Sequence, residues 1–364
     1  YDFIIVGAGS AGCEVANRLS VDANNQVLLI EAGRKDSFPM IHIPGGCGNL
    51  HKSKVDWGFE TEPQEHILNR KIYLPRGKAL GGCSSTNYMV YVRGNKSDYD
   101  HWAALGNEGW SYEEVLPYFK KSEDNQNIKN DFHNQGGVLN VEFSKSFKTP
   151  YVDDFIKGCK EVGFEANDDY NGSKQEGVGY FQHTIKNGKR HSTAAAFLNP
   201  IKHRKNLTIK TDTLVEKIII KDGKAIGVQV RDRSSKKYTI ICSQEVILSA
   251  GAFNSPQVLM LSGIGNKSEL KKHHIPCVHP LPGVGKNLQD HLILFVGTKT
   301  KTQDGLNHYS KPLSGLGALA KYFLFNKGPL TLSPLEAVAF GKSSISKGEV
   351  DYQFHFAAIN GGED

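Results

Sequence analysis

"YDFIIVGAGSAGCEVANRL" (residues 1–19) is the stretch that decides the fold. "FIIVG" is a short β-branched run of the kind that fills buried parallel strands. It passes at once into Gly7, Gly9 and Gly12 in GxGxxG spacing. The first glycine allows a tight turn. The second lets backbone approach a pyrophosphate, and the third lets a helix pack close to the strand. "AGCEVANRLS" reads as that helix. Its N-terminal N–H groups, around Ser10 and Ala11, favour an anion through the dipole and the unsatisfied donors. "QVLLIEAG" (26–33) predicts a second strand ending at Glu31 and Ala32, where an acidic side chain takes up ribose hydroxyls. All parts occur in the required order, so the unit predicts dinucleotide binding. The acid favours an unphosphorylated adenosine ribose and argues against NADP. FAD and NAD both fit this unit.

Two later segments carry related signals. In "RGKALGGCSSTNYMVYVRGN" (76–95), Gly81 and Gly82 allow close backbone approach. Ser84, Ser85, Thr86 and Asn87 cluster small polar groups suited to a phosphate or sugar chain. The alternative for this segment is a decorated turn. In "GAFNSPQVLMLSGIG" (251–265), preceded by the strand-like "EVILSAGA", Ala250 and Gly251 again offer small residues where backbone could touch a ligand. Ser255 and Pro256 look like the cap and first residue of a helix.

The 364 residues suit one large domain or two interleaved ones. With 39% hydrophobic and 23% charged residues, the composition is that of an ordinary globular protein. No window approaches a membrane span. The net charge of +6 is spread out, and no nucleic-acid motif is present, so no nucleic-acid partner is expected. The six cysteines form no CxxC pair, which favours reduced thiols over a disulfide scaffold. Four Asn-x-Ser/Thr triplets, at Asn95, Asn171, Asn206 and Asn266, are read as chance. "HHIPCVHP" (273–280) does not converge its ligands in an extended chain, so no metal site is expected. Trp57, Trp102 and Trp110 are read as packing anchors. Both ends look cut, because Tyr1 already begins a strand and "AAINGGED" closes no element.

Together the three glycine segments resemble the glucose–methanol–choline (GMC) family of FAD-dependent oxidoreductases, most nearly its choline dehydrogenase-like bacterial members. "DWGFETEP" (56–63), "NEGWSYEEVLPYFKKSED" (107–124), "RHSTAAAFLNP" (190–200) and "LPGVGKNLQDH" (281–291) look like family segments in family order. Cys83 and Thr86 depart from the commoner residues of the first family signature. The resemblance implies an α/β protein, α+β overall. Its Rossmann-like FAD-binding domain would be interleaved with a substrate domain built on an antiparallel sheet. The FAD-binding domain would comprise residues 1–36, 73–100 and 203–295, with 37–72 and 101–202 as connecting and cap segments. Residues 296–364 would begin the substrate domain.

The same resemblance implies FAD as the cofactor. Gly7, Gly9, Ser10, Ala11 and Gly12 would bind its ADP half, with Glu31 and Ala32 beside the ribose. Arg76, Gly82, Ser84, Asn87 and the backbone of Tyr88, Met89 and Val90 would reach the pyrophosphate and flavin. Val215 would meet the adenine through its backbone. Ala250 and Gly251 would touch the cofactor, Asp290 and His291 would lie near the ring or ribityl chain, and Trp57 would lie against it. Some members attach the flavin through a His at the position of Thr86. Threonine cannot form that bond, so non-covalent FAD is expected.

Oxidising an alcohol removes a proton from oxygen and a hydride from carbon. The family's main catalytic His is expected beyond Asp364. Glu336, in "PLEAVAF", and His355, in "YQFHF", match positions that face the flavin in choline-oxidising relatives. Their structural alternatives are a sheet-edge charge for Glu336 and a satisfied buried residue for His355. The expected activity is FAD-dependent oxidation of a primary alcohol to an aldehyde, with a quinone or another carrier as acceptor. The alternatives are a peroxide-forming oxidase using oxygen, a lyase or photodecarboxylase, and a non-catalytic flavoprotein. The expected location is cytoplasmic, or membrane-associated on the cytoplasmic side. The sequence leaves the oligomeric state open.

Overall fold

A computed structural model describes residues 1–302 and 304–359. Two compact units emerge, each discontinuous in sequence. The first comprises Tyr1–Ile41, Asn49–Thr86 and Ser192–Leu294, and the second His42–Gly48, Asn87–His191 and Phe295–Asp364.

The first unit is built on a four-stranded parallel sheet. Its strands run in the order Leu207–Lys210, Val27–Ile30, Phe3–Val6 and Glu245–Leu248. Val27, Leu28, Leu29 and Ile30 are all fully buried, as expected of a strand covered on both faces. The helix Ser10–Leu19 packs on this sheet. An antiparallel meander of Thr213–Lys221, Lys224–Asp232 and Lys237–Ile241 supplies the other layer. Ile4, Val6, Leu28 and Ile30 meet Val215, Ile218, Val228, Val230 and Val258 in one core.

Segments read as connectors join this unit through specific bonds. Trp57 N donates to Arg76 O at 2.9 Å, and Asn17 Nδ2 donates to Phe197 O at 2.7 Å. Residues 87–100, in contrast, fall in the second unit. There Arg93 N donates to Asn171 Oδ1 at 2.8 Å, and the Arg93 guanidinium pairs with Glu123 at 2.8 Å.

In the second unit, Gly177–Tyr180, Ala337–Gly341 and Tyr352–Phe356 form an antiparallel sheet with Ala337–Gly341 in the centre. A strand from the expected cap segment therefore completes the same sheet as the C-terminal strands. The helix Tyr151–Glu161 packs on it, with Phe155 stacked on Phe356 at 4.8 Å. Capping boxes open two further helices. Asn95 and Asp98 start Lys96–Ala104, and Ser111 and Glu114 start Tyr112–Ser122.

One sequence reading needs correction. The helix Gly251–Leu261 begins before Ser255, and Pro256 lies inside it. The turn at Ala250–Gly251, with Gly251 at φ +83°, starts the helix directly off the strand Glu245–Leu248. Trp102 and Trp110 are 45% and 51% exposed and meet edge-to-face, with Tyr99 also against Trp102, so they pack at the half-solvated surface. Glycosylation triplets aside, Asn95 and Asn266 are helix caps, Asn206 donates to three carbonyls, and Asn171 is buried.

Candidate active site

The glycine unit divides its labour as the spacing predicts. Gly7 sits at φ +95°, and a Cβ there would lie 2.6 Å from Ser249 O. A Cβ on Gly12 would lie 1.9 Å from Gly7 O, so that glycine lets helix and strand touch. Gly9 differs from both. It has ordinary extended backbone, and a Cβ on it would meet no atom within 4 Å. Packing of the protein does not require a glycine at this position. The space beside it is what a pyrophosphate lying on the backbone needs.

Gly9 caps the helix Ser10–Leu19 without a side-chain bond, and the first internal acceptor, Gly9 O, is taken by Cys13 N at 3.1 Å. The N–H groups of Ser10, Ala11 and Gly12 precede that bond and have no helical acceptor. Ser10 and Ala11 are exposed. These features fit an anionic diphosphate.

Two further loops pack on the first, backbone against backbone. Gly81 N donates to Ala8 O at 2.7 Å, and Leu80 N donates to Arg34 O at 3.0 Å. A Cβ on Gly82 would lie 2.7 Å from Gly9 Cα, and one on Gly33 2.0 Å from Lys78 O. Glu31 is buried at the junction. Its carboxylate accepts Ala8 N at 2.9 Å and Gly33 N at 2.8 Å, beside the half-buried Ala32. Burial pushes its carboxyl up to about 7, against the pull of those two N–H groups and of Lys78. Each oxygen keeps lone-pair capacity for a ribose hydroxyl.

The serines hold the loop itself together. Ser84 Oγ donates to Gly81 O at 2.6 Å and lies 2.8 Å from Thr193 Oγ1, while Ser85 Oγ donates to Leu80 O at 2.6 Å. They shape the loop from within. Thr193 was not singled out from sequence, although it lies in "RHSTAAAF". Val215 is a core residue, and the ladder slips between Val215 and Lys217, which breaks regular pairing beside it. Gly251, like Gly9, would carry a Cβ into open space, and Ala250 packs against the core.

Arg76, Asp290 and Trp57 belong to one ladder. The Arg76 guanidinium lies 4.2 Å from the Phe253 ring centre and pairs with Asp290 at 3.2 Å. Phe253 meets Phe59 edge-to-face, Phe59 stacks on Trp57 at 5.5 Å, and the Lys78 ammonium sits 4.4 Å above Trp57. His291 N donates to Asp290 Oδ1 at 2.8 Å.

Asn87–Val90 are fixed within the second unit. Asn87 Oδ1 accepts Met89 N at 3.0 Å and Arg190 Nη1 at 2.8 Å, Tyr88 O accepts Ser333 Oγ at 2.6 Å, and Val90 bridges His183. Met89 is fully buried at φ +61°, a strained conformation for a long side chain.

Glu336 is 3% exposed, so it is not a sheet-edge charge. Thr149 holds its carboxylate through N at 2.8 Å and Oγ1 at 2.5 Å. Burial pushes its carboxyl upward, and the Thr149 donors oppose that. Glu336 lines a cavity of 630 Å³ together with Phe147, Lys148, Tyr180, Phe181, His183 and Leu332. His183 is buried and donates or accepts through Nε2 with Leu335 O at 2.9 Å; since a carbonyl only accepts, Nε2 carries the proton. Burial pushes that imidazole down to about 4, so it is neutral near pH 7. Thr149 and His183 were missed from sequence, for neither stands in a recognisable motif. His355 is exposed, on the edge strand, and meets Phe181 edge-to-face at 5.1 Å. The alternative of a buried His355 is therefore corrected: it lies exposed on the edge strand.

Among the described residues no cluster of His, Cys, Asp and Glu could hold a metal, and all six cysteines are unpaired.

Comparison with known proteins agrees with this geometry. An alcohol dehydrogenase [acceptor] from Pseudomonas putida is 45% identical over 98% of this chain and 65% of its own length. The mitochondrial choline dehydrogenase of Mus musculus is 40% identical over 98% of this chain and 61% of its own. The chain thus spans about two thirds of the length of these relatives or less. Among solved structures, an FAD-dependent oxidoreductase from Chaetomium thermophilum superposes with a TM-score of 0.83 at 31% identity, covering 93% of this chain and 61% of that one. Formate oxidase from Aspergillus oryzae gives 0.86 at 29% identity, over 94% and 62%. The model of the GMC oxidoreductases matches residues 1–293, the stretch that contains every glycine loop described above, and the chain belongs to that family.

Proposed function

We propose that this protein oxidises a primary alcohol to an aldehyde, with FAD bound non-covalently and a quinone or another carrier as electron acceptor. Two features carry the reading, each within its own unit. One is the three-loop cradle around Gly9. The other is a buried carboxylate, Glu336, in the wall of a 630 Å³ cavity. Residues 1–36, 73–100 and 203–295 would make up the FAD-binding domain, and 296–364 would begin the substrate domain. When bound, FAD supplies a hydride acceptor at N5. Glu31 would take the ribose hydroxyls and the Ser10 and Ala11 N–H groups the pyrophosphate. His355 would hydrogen-bond the substrate oxygen. Glu336, oriented by Thr149, would pair with a cationic group such as the quaternary ammonium of choline. Names of the curated relatives support an alcohol or choline as substrate.

Glu336→Gln tests the substrate class. Attraction between carboxylate and cation is present in ground and transition states alike, so its loss raises KM and spares kcat. A partly desolvated ion pair lost from this site is worth about 2–4 kcal/mol, roughly 30- to 1,000-fold. That increase is expected for choline and little of it for a neutral alcohol of similar size. Equal effects on both would make Glu336 structural and remove the choline-like reading. Acid precipitation should leave the flavin in the supernatant, and a yellow pellet would refute the non-covalent link. An oxidase is the second reading, favoured by the likeness to formate oxidase, and rapid peroxide release in air would establish it.

A further inference from the structure

The turn at Asn87–Val90 directs its acceptors inward. Tyr88 O accepts Ser333 Oγ at 2.6 Å, and Met89 O accepts Thr184 N at 2.8 Å. Asn87 Oδ1 takes two donors at once, Met89 N at 3.0 Å and Arg190 Nη1 at 2.8 Å. Both partners can only donate, so the atom they share is the carboxamide oxygen, and the amide is held in one of its two orientations. Asn87 itself is exposed, whereas Met89 and Arg190 are buried. No described residue accepts from Asn87 Nδ2. The side chain therefore presents an N–H pair outward, with its oxygen turned in.

Holding it so is costly. Met89 sits at φ +61° with its side chain fully buried, a conformation that long side chains avoid. Arg190 is 3% exposed, and its bond to Asn87 is to a neutral amide. Burial pushes its guanidinium down to about 10, so it is still charged near pH 7. One hairpin frames both features. Ile185–Lys186 pairs with Lys189–Arg190, and His191 N donates to Thr184 O at 2.9 Å. Thr184 at the base of that hairpin holds Met89 O, and Arg190 on its second strand holds Asn87. A strained backbone and a buried cation thus fix the direction of a single exposed amide, and strain of this kind points to a ligand.

The ligand group that fits an N–H pair is an acceptor. Asn87 follows in the chain on the loop of Gly81–Ser85, whose Gly82 abuts Gly9. Chain connectivity alone keeps it next to the glycine cradle. FAD carries suitable acceptors in its pyrophosphate oxygens and in the carbonyls and ring nitrogens of its flavin. We infer that Arg190 is a positioning residue for the cofactor: together with Met89 N–H it pins the Asn87 carboxamide so that Nδ2 donates to an acceptor atom of FAD. Arg190 touches no reacting atom and acts through Asn87. The inference rests on FAD as the cofactor and is independent of the alcohol oxidised.

The test is fluorescence titration of the full-length apoprotein with FAD and, separately, with ADP, beside thermal unfolding of the same apoprotein. Asn87→Asp keeps the shape and replaces the outward donor by a carboxylate oxygen. It also gives Arg190 an ion-pair partner, so the apoprotein should be as stable as the wild type or more so. Its Kd for FAD should nevertheless rise roughly 10-fold or more, the scale of one hydrogen bond to a charged group. Arg190→Met should raise the Kd in the wild-type background and add nothing further in an Asn87→Ala background, because the two residues act as one unit. An Asn87→Asp loss shared by ADP places the acceptor on the pyrophosphate, and a loss confined to FAD places it on the flavin. Normal FAD affinity in Asn87→Asp overturns the inference. So does an Arg190→Met loss that is equal in both backgrounds, because Arg190 then serves the fold and not the amide. A wild type that binds no FAD at all fails the cofactor reading and takes this inference with it, whereas a wild type that binds FAD beside unaffected variants overturns this inference alone.

Discussion

Gly9→Val separates what a glycine does for the fold from what it does for the ligand. Gly9 has φ −78° and ψ −162°, which any residue can adopt, and its Cβ position is open to 4 Å. Valine should therefore cost the cofactor-free protein no more than about 1 kcal/mol, the loss of a better helix cap partly offset by a less flexible unfolded chain. For the pyrophosphate the outcome reverses. The branched side chain would stand where the phosphate must lie to reach the Ser10 and Ala11 N–H groups. Two charge-assisted hydrogen bonds at about 1.5–3 kcal/mol each amount to about 3–6 kcal/mol. That is a roughly 10²- to 10⁴-fold rise in the Kd for FAD. Fluorescence titration of apoprotein with FAD measures the second effect, and thermal unfolding of the same apoprotein measures the first. Gly12→Ala is the control, because its Cβ would lie 1.9 Å from Gly7 O and must lower stability as well as binding. Normal FAD affinity in Gly9→Val would defeat the placement of the pyrophosphate. A large drop in apoprotein stability would show that Gly9 serves packing after all.

The second unit holds a buried ionic network that should respond to both mutation and pH. Glu123 accepts from Arg93 at 2.8 Å and from His133 Nδ1 at 2.9 Å, and His133 Nε2 lies 2.7 Å from Asp169. Glu123→Leu strands a buried guanidinium and an imidazolium, which should cost about 3–5 kcal/mol in denaturant unfolding; a loss below about 1 kcal/mol would mean the network relaxes without it. Burial opposes the charge on His133, but the hydrogen bonds it donates to Asp169 and Glu123 and their negative charges outweigh it and hold its pKa above the usual value. A pKa raised on folding gives stability that is complete below the unfolded value, about 6.5, and lost as pH rises through the folded one. Wild-type stability should fall across that range and His133→Asn should flatten the profile; parallel profiles for the two proteins would refute the assignment.

The parallel sheet and its glycine loop were legible because their signals are local. A β-branched run, three spaced glycines and an acid at a strand end lie within residues 3–31, and the strands, the Gly7 turn and the close approach at Gly12 form there as the spacing predicts. The two-unit partition was less legible, because it depends on pairings far apart in the chain. Gly177–Tyr180 joins Ala337–Gly341 across more than 150 residues, and no local pattern announces which strands will meet. Pro256 misled for a different reason. Ser-Pro is a strong helix-start signal, yet Gly251 at φ +83° offers an earlier start straight off the strand. Ser84 and Ser85 show a third limit. Their composition suggested ligand contacts but not the bonds their hydroxyls donate to the nearby carbonyls of Gly81 and Leu80, which only the folded loop brings into reach. Thr149 was invisible for the same long-range reason as the sheet, since only folding brings it to Glu336.

Glu31 and Glu336 share a physical property that links the two units' chemistry. Of the described carboxyl groups that are clearly displaced from their usual values, these two are displaced upward, each by burial and each despite two donors. A buried carboxylate in that condition is under-compensated, and a ligand that brings donors or positive charge relieves it. For Glu31 the relief can be counted in protons. With a value of about 7, it is about half protonated at pH 7 in the cofactor-free protein. Ribose hydroxyls donating to it favour the charged form and drive the proton off. Binding of FAD at pH 7 should therefore release up to about 0.5 proton, and much less at pH 9. Calorimetric titration in buffers of different ionisation enthalpy reads that number directly, and Glu31→Gln should abolish it. Proton uptake in place of release, or a release that survives in Glu31→Gln, would mean that Glu31 keeps its bonds to Ala8 and Gly33 alone and that the ribose lies elsewhere. Glu336 calls for the opposite partner. Thr149 already supplies its donors, so the relief left to it is a positive charge, and a cationic alcohol brings one.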